Sequence, residues 1–405
     1  MIIKDLFPEY GRTSCNTGNL YITGLANMGA DGCFQELINN LYIENNPIFY
    51  FDNHLSREKK QHMINMATAN GYRIFDINNI ASHCVSFDVF SSYETIEEKA
   101  NAIYSFLSNK EDGLDFINQL CRYFQDAILS LHGKRKRISF REICNLSIED
   151  IKDGIRLYRE LEDTEVEEEI LFLESRETYR IWGVVNDRAR KLKTCGLIDV
   201  LSGINAANDV FNSKTLVMIS QNIGTGDSAR NYLSFSNGFI NLLGKIGEER
   251  NESNKPYHIF IKNCTEFKRE QMEMILNVTM DAPFAIPLCI YDQSVTKTID
   301  IHSLYVLDFF GAFAVFKTND GSFWSDFLGT ALTPDRTETF SRRRSPILVN
   351  TGGVVPRRTS KYEGTTVHRI EKPLYEARVF SALKDKCLIF YNVYSNRKSR
   401  KQLRW

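Results

Sequence analysis

Leu20-Tyr21-Ile22-Thr23, followed by Gly24-Leu25-Ala26-Asn27-Met28-Gly29-Ala30-Asp31-Gly32, is the stretch on which the fold turns. The first four residues are a short β-rich run, and the next nine are a loop punctuated by glycine. From Cys33 to Tyr42 the apolar residues Phe34, Leu37, Ile38 and Leu41 recur at helical spacing. Strand, glycine loop and helix in that order form the setting of a phosphate-binding loop, G-x-x-x-x-G-K-[ST]. There the backbone N–H groups cradle phosphates, the lysine neutralises the β and γ oxygens, and the hydroxyl holds Mg²⁺. Gly24 and Gly29 have the required spacing, but Ala30 stands at the lysine position and Asp31 at the hydroxyl position. A methyl group beside a carboxylate opposes phosphate binding, so ATP and Mg²⁺ binding are expected to be absent or weak. The plainer alternative is that the two glycines merely turn the chain.

Working outward, Pro47-Ile48-Phe49-Tyr50-Phe51-Asp52 reads as a buried parallel strand, continuous in apolar character and ended by a carboxylate. Ser56 caps a polar helix to about Asn70, Gly71 stops it, and Tyr72 to Asp76 reads as another strand. This alternation indicates a doubly wound α/β sheet. Residues 91–210 differ: helical patterns run through 92–103, 116–131 and 147–173, broken by the basic turn Lys134 to Arg137, without strand-like alternation. From Lys214 the α/β rhythm returns, with strands expected at 215–220, 257–261, 285–291 and 312–316. Helices are expected at 227–244, 266–276 and 300–307. After Pro334 the chain reads as basic and irregular, with Arg342, Arg343 and Arg344 as one cluster and Arg357–Arg358 as another. Cys387 to Asn392 reads as the last strand, followed by a basic tail from Arg397 to Arg404. The division implied is 1–88 and 211–405 as two parts of one α/β domain, with an all-α insertion at 89–210.

Composition narrows the chemistry. The 405 residues carry a formal net charge of −1, which gives no global reason for nucleic-acid affinity. Nine cysteines are scattered without C-x-x-C spacing, so neither a disulfide framework nor a zinc site is expected. Seven histidines show no H-x-x-x-H or H-E-x-x-H spacing, and there is no G-x-S-x-G elbow for a nucleophilic serine. The start lacks a signal-peptide pattern, and the most apolar run, 304–316, is interrupted by Asp308 and too short to cross a bilayer. A soluble, cytoplasmic protein is expected, reaching the inner membrane only through partners.

The order of these pieces resembles the TraD/TraG-type conjugative coupling proteins, ATPases of type IV secretion in the wider FtsK/HerA group. The resemblance is carried by the glycine loop, by Pro47 to Asp52 with Asn53, by 63–77, and by the helical insertion that follows. Further on, Tyr257-His258-Ile259-Phe260-Ile261-Lys262-Asn263 lies where the family has the Walker B strand ending in Asp-Glu. Ile290-Tyr291-Asp292-Gln293-Ser294 looks like the strand that ends in a sensor glutamine, and Asp320 to Gly329 looks like the helix after it. The resemblance implies a RecA-like P-loop sheet flanked by helices, with an all-α inserted domain. It also implies that Lys262 replaces the metal-binding aspartate and Asn263 the catalytic carboxylate, with Glu266 nearby.

Phosphoryl transfer needs the metal, the lysine and a water-orienting group together. The expectation is therefore a catalytically inactive relative with no catalytic residues and no metal or nucleotide cofactor. It would act as a binding or scaffolding subunit alongside other proteins, among them a competent ATPase or secretion-system subunits. Two alternatives remain. One is a divergent ATPase or DNA motor in which Lys262 reaches the phosphates. The other is a nucleotide-independent DNA-binding module using Arg342, Arg343 and Arg344.

Overall fold

The computed structural model describes residues 19–52, 55–76, 86–108, 112–162, 167–194, 196–211, 214–219, 227–248, 256–281, 287–344, 359–393 and 397–402. Within them Thr318–Leu383 forms one compact unit and the remainder another.

The larger unit is built on nine strands: β1 (Leu20–Thr23), β2 (Ile48–Asp52), β3 (Arg73–Asp76), β4 (Thr215–Ile219), β5 (His258–Lys262), β6 (Leu288–Asp292), β7 (Ala312–Val315), β10 (Cys387–Asn392) and β11 (Arg397–Gln402). Their spatial order is β11-β10-β7-β1-β6-β5-β2-β4-β3. All neighbours from β7 to β3 pair in parallel, whereas β10 is antiparallel to both β7 and β11. The expected final strand is therefore followed by one more. The basic tail from Arg397 forms one edge of the sheet.

Helices cover both faces, which is why the central strands read as unbroken apolar runs. On one face α1 (Ala30–Glu44) and α2 (Arg57–Ala69) pack Phe34, Leu37, Ile38, Met63 and Ala67 onto Ile22, Tyr50, Met218 and Tyr291. On the other face the alternate residues Phe49 and Phe75 meet Phe239 of a flanking helix, with ring centroids 6.1 and 5.7 Å apart. The predicted cap of α2 is present: Ser56 Oγ accepts the Lys59 N–H at 3.3 Å, and Gly71 takes φ 72°.

Between β3 and β4 the described residues are helical: α3 (Ile96–Leu107), α4 (Leu114–Gly133), α5 (Phe140–Asn145), α6 (Ile148–Glu162), α7 (Glu167–Glu174), α8 (Arg176–Thr194), α9 (Leu197–Val200) and α10 (Ala207–Phe211). Entry and exit lie side by side, since the Phe87 N–H donates to the Val200 carbonyl and the Gly203 N–H returns to the Phe87 carbonyl, both at 2.8 Å. Helices α4 and α6 cross at glycine: a Cβ on Gly133 would lie 2.1 Å from the Gly154 carbonyl oxygen. The basic turn is partly consumed by structure, because Arg137 bonds to Asp88 and to the Gly203 carbonyl, and Lys134 to Asp150.

Beyond β4 run α11 (Asp227–Glu248), α12 (Arg269–Asp281) and α13 (Val295–His302). Two boundaries differ from expectation. The helix read at 266–276 begins at Arg269, because Phe267 stays extended and buried, 6.2 Å from the Phe51 ring. The helix read at 300–307 begins at Val295, where Ser294 supplies the N-cap, and ends at Ser303 with φ 70°.

The smaller unit holds α14 (Gly321–Phe327), β8 (Thr330–Arg344), β9 (Thr359–Pro373) and α15 (Ala377–Ser381). The segment read as irregular after Pro334 is an antiparallel ribbon, with Pro334 opposite Arg369. Proline is tolerated there because both strands of a two-stranded ribbon are edges. Arg342, Arg343 and Arg344 close β8, opposite Lys361, Ser360 and Thr359. Their side chains, and Arg357–Arg358, lie outside the described residues.

Candidate functional site

The loop after β1 is held from both sides. The Gly24 N–H donates to the Asp292 carbonyl at 3.2 Å, Leu25 to the Lys317 carbonyl at 2.8 Å, and Met28 back to Leu25 at 3.2 Å. Gly29 then takes φ 98° at the N-cap of α1, a conformation that disfavours a side chain. Both glycines answer to packing. A Cβ on Gly24 would lie 2.6 Å from Phe316 Cβ, and one on Gly29 would lie 3.0 Å from Lys386 Cα. The plain reading of the two glycines therefore accounts for their presence without any phosphate. Ala30 is fully buried, so no side chain projects from the lysine position.

Asp31 opens the first turn of α1, where a negative charge complements the helix dipole. Its Oδ1 lies 2.6 Å from Lys262 Nζ and its Oδ2 lies 3.2 Å from Lys59 Nζ. Lys262 ends β5, paired in register with Asp52 on one side and Tyr291 on the other. Its Nζ also stands 5.6 Å from the Tyr291 ring centroid, within cation–π range. Burial works against the Asp31 charge, but the hydrogen bond and charge of Lys262, then those of Lys59, hold its carboxyl below the usual range. Asp31 and Lys262, 231 residues apart, thus contact each other, and an ammonium–carboxylate pair joins them.

Asn263 adopts φ 56°, donates its N–H to the Tyr291 carbonyl at 2.8 Å, and starts a short 3₁₀ turn, Cys264–Glu266. The Glu266 side chain lies outside the described residues. Gln293 follows β6 directly and is exposed, while Ser294 rather than Gln293 caps α13.

Sequence reasoning missed a buried polar knot beneath the loop. Asp292 Oδ2 accepts hydrogen bonds from Cys264 Sγ at 2.6 Å and from the Tyr21 and Thr298 hydroxyls, each at 3.2 Å. Burial raises its carboxyl to about 6, and the hydrogen bonds from Cys264, Thr298 and Tyr21 partly oppose that. His302 Nε2 meets the Cys264 carbonyl at 2.8 Å. The available signal was Asp292 itself, a carboxylate ending an apolar strand. Lys59 was also missed, and so was the pair of Lys60 with buried Asp76 at 2.6 Å. Among the described residues no group of three or more His, Cys, Asp or Glu side chains is arranged to hold a metal ion.

A sheet with the loop strand β1 separated from β5 by β6, and helices inserted after β3, can be compared with solved structures. The chain folds like the plasmid coupling protein TrwB. The complex of TrwB with ADP and Mg²⁺ superposes with a TM-score of 0.59 at 12% identity, covering 99% of this chain and 91% of that one. The unbound bacterial conjugative coupling protein TrwBΔN70 gives 0.58 at 11%, covering 99% and 90%. VirB4 of Thermoanaerobacter pseudethanolicus gives 0.51 at 10%, covering 98% and 92%. No protein-family model and no curated protein matches the sequence. The RecA-like P-loop sheet with flanking and inserted helices is therefore the fold, as the resemblance implied. Among the described residues no helix is long and apolar enough to cross a membrane.

Proposed function

We propose that this chain is a catalytically inactive, coupling-protein-like P-loop subunit. In this reading it serves as a binding or scaffolding component of a type IV secretion or conjugation-type assembly. The observation that supports it is the Asp31–Lys262 ion pair beside Ala30. In an active relative a metal ion would be held between the first turn of α1 and the end of β5. Here an ammonium tied to a carboxylate joins the same two elements, and the phosphate-binding lysine is a methyl group. Residues 1–88 and 211–405, the separate unit Thr318–Leu383 apart, supply the α/β framework, and 89–210 supply a helical surface for protein partners on the cytoplasmic side. The divergent-ATPase alternative needs Lys262 at the phosphates, but its Nζ is committed to Asp31 at 2.6 Å. A nucleotide-independent DNA role would rest on Arg342–Arg344, and strongly salt-dependent DNA binding would mark it.

The test is nucleotide binding, by calorimetry and thermal shift with ATP and ADP, each with and without Mg²⁺. A ligand at a hundred times its dissociation constant adds about 2.7 kcal/mol of stability, which a melting curve registers. The expected result is no heat and no shift at millimolar nucleotide. A Mg²⁺-dependent shift overturns the proposal.

A further inference from the structure

A groove of about 530 Å³ runs along α8, walled by the end of α5 and by α9, and nothing in the nucleotide-site reading uses it. Trp182 forms one apolar wall, fixed by its indole N–H donating to the Leu146 carbonyl at 3.2 Å, and the buried Ile198 also lines the groove. On the floor sits Gly183, inside a 19-residue helix where glycine weakens the helix relative to alanine. Internal packing does not require it: a Cβ there would meet nothing within 4 Å, whereas at Gly154 one would lie 2.4 Å from the Ser130 carbonyl oxygen. Such a glycine lowers the floor for something outside the fold. The rim is basic. Arg190 and Lys193 are exposed, and Asp187, bonded to Arg190 at 2.8 Å and to Lys191 at 3.0 Å, offsets only part of that charge.

The same helical pair displays the complement. Helix α7, Glu167-Glu168-Glu169-Ile170-Leu171-Phe172-Leu173-Glu174, buries Leu173 but leaves Leu171 67% exposed. Glu167 and Glu168, exposed and one turn before Leu171, flank it on the same helical face. An apolar knob beside two carboxylates matches a groove with an apolar wall, a lowered floor and two cations on its rim. We infer that α7 of one copy of this chain seats in the α8 groove of a second copy. Leu171 lies over Gly183 against Trp182, and Glu167 and Glu168 face Arg190 and Lys193. Because knob and groove belong to adjacent helices of one chain, a two-fold axis repeats the contact and closes a dimer. This inference does not depend on the state of the nucleotide site.

The test is the mass of the full chain by light scattering and sedimentation across the micromolar range, at low and high salt. The expected result is a dimer that weakens as salt screens the rim charges. Gly183→Leu fills the groove while favouring the helix. It is expected to weaken self-association about tenfold or more while leaving the melting temperature unchanged or higher. Arg190→Glu with Lys193→Glu is expected to give monomers, and adding Glu167→Lys with Glu168→Lys to the same chain restores the dimer. A chain that stays monomeric throughout overturns the inference. So does a dimer that Gly183→Leu leaves intact, since the copies then meet elsewhere.

Discussion

Replacing Lys262 by methionine removes one ammonium and keeps most of the apolar stem. Among the described residues Asp31 would then retain Lys59 alone, a partner whose side chain is half exposed. The Lys262 side chain is 12% exposed and that of Asp31 35%, so the pair lies between two regimes. Exposed pairs contribute about 0–1 kcal/mol, and removing one partner of a fully buried pair costs about 3–5 kcal/mol. A charge-assisted bond of 2.6 Å at this partial burial should contribute about 1.5–2 kcal/mol at pH 7. Urea unfolding of wild type, Lys262→Met, Asp31→Asn and the double variant measures it as a coupling energy. The sign with pH follows from Asp31, whose carboxyl is lower in the folded state than in the unfolded one. Its contribution is fully present above the unfolded value of about 3.9 and is lost as pH falls through the lower folded value. The difference between wild type and Lys262→Met should therefore persist from pH 7 to about pH 4 and shrink below it. A coupling under about 0.3 kcal/mol, within ordinary additivity error, would refute the reasoning.

Asp292 should act with the opposite sign. With its carboxyl raised to about 6, the folded state loses about 2 kcal/mol of stability as pH rises from 4 to 7, and Asp292→Asn should flatten that slope in pH-dependent unfolding. Gly24→Ala should destabilise by about 1–3 kcal/mol through overpacking against Phe316, read as a lower urea midpoint. Gly29→Ala should cost about 1–2 kcal/mol through its left-handed backbone, more if the Lys386 backbone does not yield. Gly183→Ala should instead raise the melting temperature, by the roughly 0.5–1 kcal/mol that alanine gains over glycine inside a helix.

Apart from β11, which reads as a basic tail, the sheet was legible because its strands are largely apolar runs bounded by glycine, proline and carboxylates, and Ser56 and Gly71 announce the ends of α2 in chemical terms. The ribbon β8–β9 was not legible. Its arginines and Pro334 read as loop, although Thr330, Thr333, Thr337 and Thr339 supply the β-branched residues of a strand. The helix boundary at Arg269 depends on Phe267 staying extended to reach Phe51, a tertiary demand no local pattern records. At the site, the individual substitutions Ala30, Asp31, Lys262 and Asn263 could be read one by one. That two of them answer each other across 231 residues could not, because only the register of β5 against β6 brings Lys262 to the first turn of α1.

That mutual contact makes the two positions interdependent. Changing Asp31 alone to a hydroxyl residue would leave the largely buried Lys262 ammonium without its carboxylate. Changing Lys262 alone to an aspartate would bring two carboxylates together where an ion pair now stands, and like charges at that range cannot both stay ionised without cost. Each single change is uphill in folding free energy, so the residue tolerated at one position depends on the residue at the other.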